Sequence, residues 1–268
     1  MNLIWQQLKS FMIKYWKVFI LIIPIHLIIT KTPININYLF QTAMGYIAGY
    51  NPTWWFIKTY ICIIIMFPLF FTFLGECNTP YKDLLKIILI CAFFTHIFKQ
   101  IISLPLLGNL KNTIYVVPLK AIQENIGPVL MGAFVCKYNL FEWLDSKINY
   151  KHRCQKVLFY ISAIAITFFL RYLNSNRTDY DYILVVIFSY SILRLIKRRN
   201  WLIILGKYST EMWLVHYFVL VLWGDFQNII FFPKYSLFIF GWFIMINLVL
   251  AIIIQYFWKV IAKIVNIP

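Results

Sequence analysis

Eight long apolar runs, separated by short clusters of lysine and arginine, decide what this 268-residue chain can fold into. A helix needs about 20 apolar residues to cross a bilayer, and fewer when charged side chains at its ends reach the headgroups. The sequence therefore predicts an all-α, polytopic membrane helix bundle. Its predicted spans are Phe11 to Ile29, Trp54 to Leu74, Leu84 to Ile102, Ala121 to Cys136, Val157 to Leu173, Tyr182 to Ile196, Ser209 to Trp223 and Tyr235 to Tyr256.

The segments between these spans are too short to form a soluble domain. The longest connector on the basic side, Lys137 to Lys156, is only a linker at that size. The segment Tyr38 to Tyr50 is predicted to add an interfacial or re-entrant helix. We therefore expect one membrane-embedded domain, residues 1–268, in which any chemistry uses the membrane helices and their mouths.

Threading the chain through eight spans sorts its basic residues onto two sides. One side collects 16 lysines and arginines and the other collects 7. Cytoplasmic loops carry the excess of such residues, so the richer side is predicted to be cytoplasmic and to hold both termini. An odd number of spans would put the later clusters on the wrong side, and the asymmetry therefore supports an even count.

The composition narrows the class of protein further. Hydrophobic residues make up 62% of the chain and charged residues 13%, although the net charge is +16. A nucleic-acid-binding protein needs a solvated basic face, which short clusters between apolar runs do not provide. Five cysteines without a C-x-x-C spacing predict no metal site. The expected surroundings are membrane lipid, with no nucleic acid as partner.

The segment Leu205 to His216, with sequence LGKYSTEMWLVH, carries the strongest candidate site. Gly206 interrupts an apolar run, Ser209 can cap a helix, and Glu211 would then lie in the first turn, where the helix dipole favours a negative charge. A helix is therefore predicted to begin there, with His216 about two turns, or roughly 10 Å, inside the cytoplasmic end. His216 is a candidate catalytic residue, and the alternative is a structural histidine that bonds to a neighbouring helix. Ser209 and Trp213 would share its helix face as candidate substrate-binding residues.

A second group of polar residues is predicted near the outer face. His96 and Glu124 are candidate catalytic residues, because a histidine and a carboxylate together can transfer protons. Trp54, Trp55 and Lys58 open the second span and are candidate substrate-binding residues. The alternative is an interfacial belt, since tryptophan and lysine occur at the ends of many spans.

Three segments follow the motifs of one known family. Leu205 to His216 is similar to its late-helix signature of Leu-Gly, then Ser, then aromatic-Leu-x-His. Asn51 to Ile57, followed by Phe67 to Leu69, resembles its central helix, which opens with Trp-Phe and carries a later Phe-Pro. Lys14 to Phe19, followed by Ile23 to Ile25, resembles its third helix with a basic approach. In the order and spacing of these segments the chain resembles the integral-membrane acyltransferase family 3, the glycan O-acyltransferases.

The resemblance implies a multi-pass protein of the bacterial inner membrane that transfers an acyl group, most often acetyl. Acetyl-CoA or another acyl-CoA would be the donor substrate, with no bound cofactor, and a hydroxyl of a cell-surface or capsular polysaccharide the acceptor. A glycan or a lipid-linked sugar is thus the implied partner. Lys14 and Lys17 would bind the acyl-CoA phosphates, and His216 would orient or polarise the thioester.

The chain departs from the family at its proposed catalytic motif, a basic residue ten positions before a histidine. No such pair occurs here, and the nearest spacing, Lys14 with His26, is one residue too long. Family members have about ten spans, so we expect this chain to lack the first two helices, which a partner would supply. Two alternatives stay open at this point: a non-catalytic remnant of the acyltransferase, and a glycan polymerase or flippase-type protein. Polymerases typically need a large outer loop, and the longest predicted one here, Lys31 to Thr53, is small.

Overall fold

The computed structural model describes residues 2–75, 79–98, 100–101, 116–148, 152–173, 181–196 and 200–265. This part of the chain is helical and contains no β-strand, so the predicted all-α class is confirmed for it. The helices are α1 (Asn2–Thr30), α2 (Ile36–Ala43), α3 (Trp55–Gly75), α4 (Pro80–Ala92), α5 (Val116–Lys137), α6 (Leu140–Lys147), α7 (Arg153–Leu173), α8 (Asp181–Leu195), α9 (Asn200–Tyr217), α10 (Gly224–Phe231) and α11 (Ser236–Ile264). A 3-10 turn, Pro52–Trp54, precedes α3, and π-turns extend α4 (Phe93–Phe98) and α9 (Phe218–Leu222).

Three of these helices are long and apolar enough to cross a membrane by length and composition. They comprise Ile4–Thr30, Arg153–Leu173 and Ser236–Ile264. In the apolar windows of the last two, only 11% and 17% of the residues are buried within the protein. Apolar helix surfaces this open favour lipid surroundings over water. The count of eight spans and the cytoplasmic position of both termini stay predictions.

The helices group into two compact units, residues 1–61 with 200–268 and residues 62–199. The first unit has an apolar core to which α1, α9 and the residues before α3 contribute. Trp54 and Asn51 each donate a side-chain hydrogen bond to the Leu214 carbonyl, at 3.0 and 3.2 Å. The Tyr15 hydroxyl donates to the Thr42 carbonyl at 2.5 Å, which fixes the end of the short helix α2 on α1. A helix in the Tyr38 to Tyr50 segment is thus present, as α2.

Contacts within the first unit show that α1 and α9 run in the same direction. Near its middle α1 pairs with α9 through Lys14 and Glu211, and further along both helices His26 lies 5.2 Å from Phe218 between ring centroids. The predicted first and seventh spans are both odd-numbered, so alternation along the chain requires them to run in the same direction.

Helices α3 and α11 run in the opposite direction. The ring of Tyr60 lies 4.2 Å from Phe11, whereas Trp54, earlier in the chain, lies beside Phe19 at 6.1 Å. In α11 the early Trp242 donates to the carbonyl of Ile229, beyond the far end of α9, and the later Gln255 reaches back to Glu211. The relative directions of these four helices agree with the predicted alternation.

The second unit pairs α4 with α5 and α7 with α8. At one end of the α4–α5 pair, Asp83 is buried and accepts hydrogen bonds from Lys137 Nζ and the Tyr138 hydroxyl, both at 2.6 Å. Between α5 and α8 the backbone of Gly127 lies against the Tyr182 ring, which a Cβ atom at Gly127 would approach to 3.0 Å. Small and polar residues thus set the close contacts of this unit.

The predicted start of the seventh helix is wrong. Helix α9 begins at Asn200 and continues through Gly206, so Ser209 is not a cap and Glu211 is not in the first turn. The Ser209 hydroxyl donates to the Gly206 carbonyl, a bond within the helix. Gly206 is exposed, and nothing lies within 4 Å of an added Cβ. Its effect on the stability of α9 is therefore limited to the intrinsic cost of a glycine in a helix, about 1 kcal/mol. His216 consequently lies far from the start of its helix and not two turns from it.

Candidate functional site

A buried carboxylate, Glu211, lies at the centre of the candidate site. Its side chain is 3% exposed, and Gln255 Nε2 donates to its Oε1 at 2.9 Å. The Lys14 ammonium lies 3.8 Å from the other oxygen, Oε2. These three side chains come from α9, α11 and α1, so each helix contributes one polar group to an otherwise apolar contact.

The ion pair in this group is incomplete. At 3.8 Å the Lys14 ammonium is beyond hydrogen-bond distance, and the buried Oε2 accepts no hydrogen bond. Buried polar atoms are nearly always satisfied in folded proteins, and those at functional sites are a recurrent exception. Glu211 Oε2 is therefore a buried hydrogen-bond acceptor without a donor, directly beside Lys14.

An open cleft of about 410 Å³ lies beside this carboxylate. Besides Lys14 its lining consists of amide, hydroxyl and aromatic side chains: Gln6, Gln7, Ser10, Phe11, Tyr60 and Thr210. The lining contains one cation, Lys14, and no acidic side chain; Glu211, which pairs with Lys14, is not part of it. Such a lining suits a ligand that carries a negative charge together with several hydrogen-bonding groups.

His216 is half-buried and has a defined tautomer. Its Nδ1 lies 2.5 Å from the Trp213 carbonyl oxygen, which can only accept, so Nδ1 carries the proton. In the neutral ring Nε2 is then left as an acceptor, the form a base requires. His216 is five positions after Glu211, roughly 140° around the helix, so the structure does not bring these two residues together.

The predicted substrate-binding residues fall in different surroundings. Trp54 lies in the core at 1% exposure, and Trp55 is 50% exposed. Trp54 is therefore not part of an interfacial belt, since its indole N–H is used on the Leu214 carbonyl. Lys58 Nζ lies over the Tyr46 ring at 5.2 Å, Trp213 packs on Phe56 at 5.6 Å, and Ser209 is exposed.

The two predicted phosphate-binding lysines also differ in position. Lys14 lines the cleft. Lys17, one turn further along α1, is half-buried and accepts a hydrogen bond through its backbone carbonyl from Trp258 Nε1 at 3.0 Å. Lys14 is thus the one of the pair that the cleft includes.

His96 and Glu124 belong to the other unit. His96 is exposed, in the π-turn after α4. Glu124 lies in α5, and its side chain is outside the described residues, so the predicted pair stays a prediction. Among the described residues no three His, Cys, Asp or Glu side chains are grouped so that they could hold a metal ion.

Glu211 and Gln255 are the site residues that the sequence prediction missed. The sequence pattern places Glu211 in the first turn of a helix, because Gly206 and Ser209 indicate a helix start nearby. A usable signal was nevertheless present, because a carboxylate in the interior of an apolar helix needs partners on other helices. Lys14 and Gln255 are polar residues within two other apolar runs that could supply them.

Comparison of the chain with protein-family models, with curated proteins and with solved structures finds no match. The resemblance to acyltransferase family 3 therefore depends on the quoted motifs.

Proposed function

We propose that this chain is a membrane-bound O-acyltransferase that moves an acyl group, typically acetyl, from acyl-CoA to a hydroxyl of a cell-surface or capsular polysaccharide. One observation carries the proposal: two of the family-like segments meet at the cleft. Lys14 belongs to the segment that resembles the third helix, and Thr210 and Glu211 belong to the late-helix signature. Segments almost 200 positions apart in the chain thus form one polar site.

The chemistry of the cleft matches the donor substrate. Acyl-CoA combines anionic phosphates with amides and hydroxyls, which Lys14 and the glutamines at positions 6 and 7 can bind. The end of α1 that contains the cleft also carries Lys9, and the same predicted side holds Lys259 and Lys263. By the positive-inside rule this side is cytoplasmic, where acyl-CoA is found. We place the protein in the bacterial inner membrane with eight spans.

The reaction requires a base for the acceptor hydroxyl. The hydroxyl proton passes to the base, the oxygen attacks the thioester carbonyl, the C–S bond breaks, and the CoA thiolate leaves and is protonated. His216 Nε2 is the acceptor we assign to this proton, because Nδ1 is held by the Trp213 carbonyl. His216 is preferred over His96 because it lies on the helix that also contributes Thr210 to the cleft.

The test is acetylation of the surface glycan, followed by mass spectrometry, in a host without related enzymes. The chain is expressed alone and together with a pair of helices that carry a basic residue ten positions before a histidine, since membrane helices associate as preformed units. We expect acetylation in the combined arm and its loss in His216→Ala, with His96→Ala retaining it. If His96→Ala loses acetylation and His216→Ala retains it, His96 is the base. Absence of acetylation in both arms would refute the proposed function.

A further inference from the structure

A second polar group is buried in the first unit, around Phe218. It consists of His26 from α1, Tyr50 before the 3-10 turn, Phe218 at the start of the π-turn and Trp223 directly after it, and we call it the His26 cluster. The exposed fractions are 6% for His26, 9% for Tyr50, 0% for Phe218 and 5% for Trp223. Ring centroids are 5.2 Å apart for His26 and Phe218, 6.1 Å for His26 and Tyr50, and 5.8 Å for Phe218 and Trp223.

Three polar atoms of this cluster have no hydrogen-bond partner. They are His26 Nδ1, the Tyr50 hydroxyl and Trp223 Nε1, and all three are buried. Two other core side chains of the same unit, Trp54 and Asn51, do find a partner in the Leu214 carbonyl. Glu211 Oε2 and Asn247 Oδ1 are the other buried side-chain atoms without a partner in the described part of this unit, so three of the five belong to the His26 cluster. The cluster includes the π-turn that begins at Phe218, and π-turns are frequent at functional sites.

The three atoms define the ligand that would satisfy them. Trp223 Nε1 only donates, the Tyr50 hydroxyl donates and accepts, and His26 Nδ1 does either according to its tautomer. Burial raises the pKa of the Tyr50 phenol, with a smaller contribution from Tyr38, so this hydroxyl keeps its proton. The four residues include no acid, lysine or arginine, and an ionic ligand would lose its hydration without a countercharge. A neutral oxygen that both accepts and donates, as a hydroxyl does, fits this set.

The cluster lies at the opposite end of α1 from the cleft. Lys14 and His26 are 12 positions apart, which corresponds to about 18 Å along the helix axis. Lys14 contacts Glu211 of α9, and His26 contacts Phe218 in the π-turn that extends α9. Aromatic rings together with a few polar groups are typical of sites for small neutral ligands.

We propose that the His26 cluster binds a hydroxyl-bearing neutral sugar, the acceptor end of the glycan, about 18 Å from the acyl-CoA cleft. This inference rests on the proposed function for the identity of the ligand. Trp223 Nε1 donates a hydrogen bond to the sugar hydroxyl oxygen, the Tyr50 hydroxyl exchanges one with it, and His26 Nδ1 forms the third hydrogen bond.

The test is equilibrium binding of labelled neutral oligosaccharides, released from the host's own surface glycan, to the purified full chain in nanodiscs. Tyr50→Phe and Trp223→Phe each remove one unpartnered group and keep an aromatic ring. We expect each to weaken binding about three- to tenfold, the usual range for one hydrogen bond. Tyr235→Phe and Trp5→Phe are the matched controls, because both side chains are exposed, and they should bind like the unmodified chain.

The thermal unfolding midpoint separates a binding role from a structural one. Since the Tyr50 hydroxyl makes no hydrogen bond within the protein, Tyr50→Phe should keep the midpoint or raise it while binding falls. Unchanged sugar binding in both variants, or no sugar binding by the unmodified chain, would overturn the inference. Sugar binding that depends on Tyr50 in a chain that never acylates would support this site and refute the proposed function. A variant in the acyl-CoA cleft, Lys14→Met, should lower acyl-CoA binding and leave sugar binding unchanged.

Discussion

At the scale of single residues, the polar groups of the first unit are distinguished by whether they have partners. Asn51 and Trp54 are buried and hydrogen-bonded, and they fasten the start of α3 to α9. Glu211 is buried with one oxygen bonded and the other open. Hydrogen-bonded groups stabilise the packing, whereas a buried acceptor without a donor costs free energy in this structure.

The Lys14 and Glu211 pair gives a prediction at this scale. Lys14→Met leaves the Glu211 carboxylate buried without a cation and should destabilise the protein by about 1–3 kcal/mol. Glu211→Gln removes the charge that causes this penalty, so the double variant should recover part of the loss. The measurement is the thermal unfolding midpoint in detergent.

Lys9→Met is the matched control for this prediction, because Lys9 is an exposed lysine of the same helix. It should leave the midpoint unchanged. A double variant that is as unstable as the sum of the two single variants would show that Lys14 and Glu211 do not interact.

At the scale of elements, α9 is one uninterrupted helix through Gly206, and glycine substitutions test this. Gly206→Ala should stabilise the protein by about 0.5–1 kcal/mol, because the helix conformation suits alanine and the added Cβ meets nothing within 4 Å. Gly49→Ala should have the opposite effect. Gly49 has a φ of +59°, and its Cβ would come within 2.1 Å of Thr42 Oγ1.

Both variants are compared by thermal unfolding in the same detergent. Loss of stability in Gly206→Ala would indicate that a helix break is present at this position, as the sequence first suggested.

The pairing of α4 with α5 depends on Asp83, which precedes the predicted third span. Burial raises the pKa of the Asp83 carboxyl, but hydrogen bonds from Lys137 and Tyr138 and the Lys137 charge outweigh it and lower the pKa below its ordinary value. A carboxyl with a lowered pKa stabilises the fold above its ordinary pKa, and this contribution is lost as the pH falls through the lowered value.

We therefore expect the unfolding midpoint to fall progressively below about pH 5. Asp83→Asn should cost about 1.5–3 kcal/mol at neutral pH and should flatten this acid dependence. Glu142→Gln, at an exposed acid of α6, is the control: it should keep the stability at neutral pH and the acid dependence of the midpoint. An acid profile that is identical in Asp83→Asn and the unmodified chain would contradict the role of this carboxyl.

At the scale of the whole molecule, the prediction is the membrane topology. Reporter fusions after Leu74, Lys137 and Ile196 should report a cytoplasmic position, and fusions after Ile29, Ile102, Leu173 and Trp223 an external one. The reason is the bias of 16 basic residues to 7 between the two sides. An external signal from a reporter at Lys147 would overturn the span assignment.

The sequence by itself determined the all-α class and the positions of the helices. Every predicted span overlaps a helix, but three described ends differ: α1 and α9 each begin nine residues earlier than predicted, and α11 ends eight residues later. The reason is that length and hydropathy are local properties, and a backbone in lipid has to satisfy its own hydrogen bonds within the helix. Helix α9 continues through Gly206, where a break is predicted, because one glycine costs a helix only about 1 kcal/mol.

Only the tertiary structure decided which polar residues meet. Lys14, Glu211 and Gln255 are brought together by the packing of three helices far apart in the chain, and no spacing rule within one helix relates them. His216 and Glu211 are close in sequence but lie on different faces of α9. Trp54, which has the residue type of an interfacial belt, is instead a core residue because the Leu214 carbonyl offers its indole a partner. Contacts of this kind depend on how helix faces pair, which the hydropathy of each run does not specify.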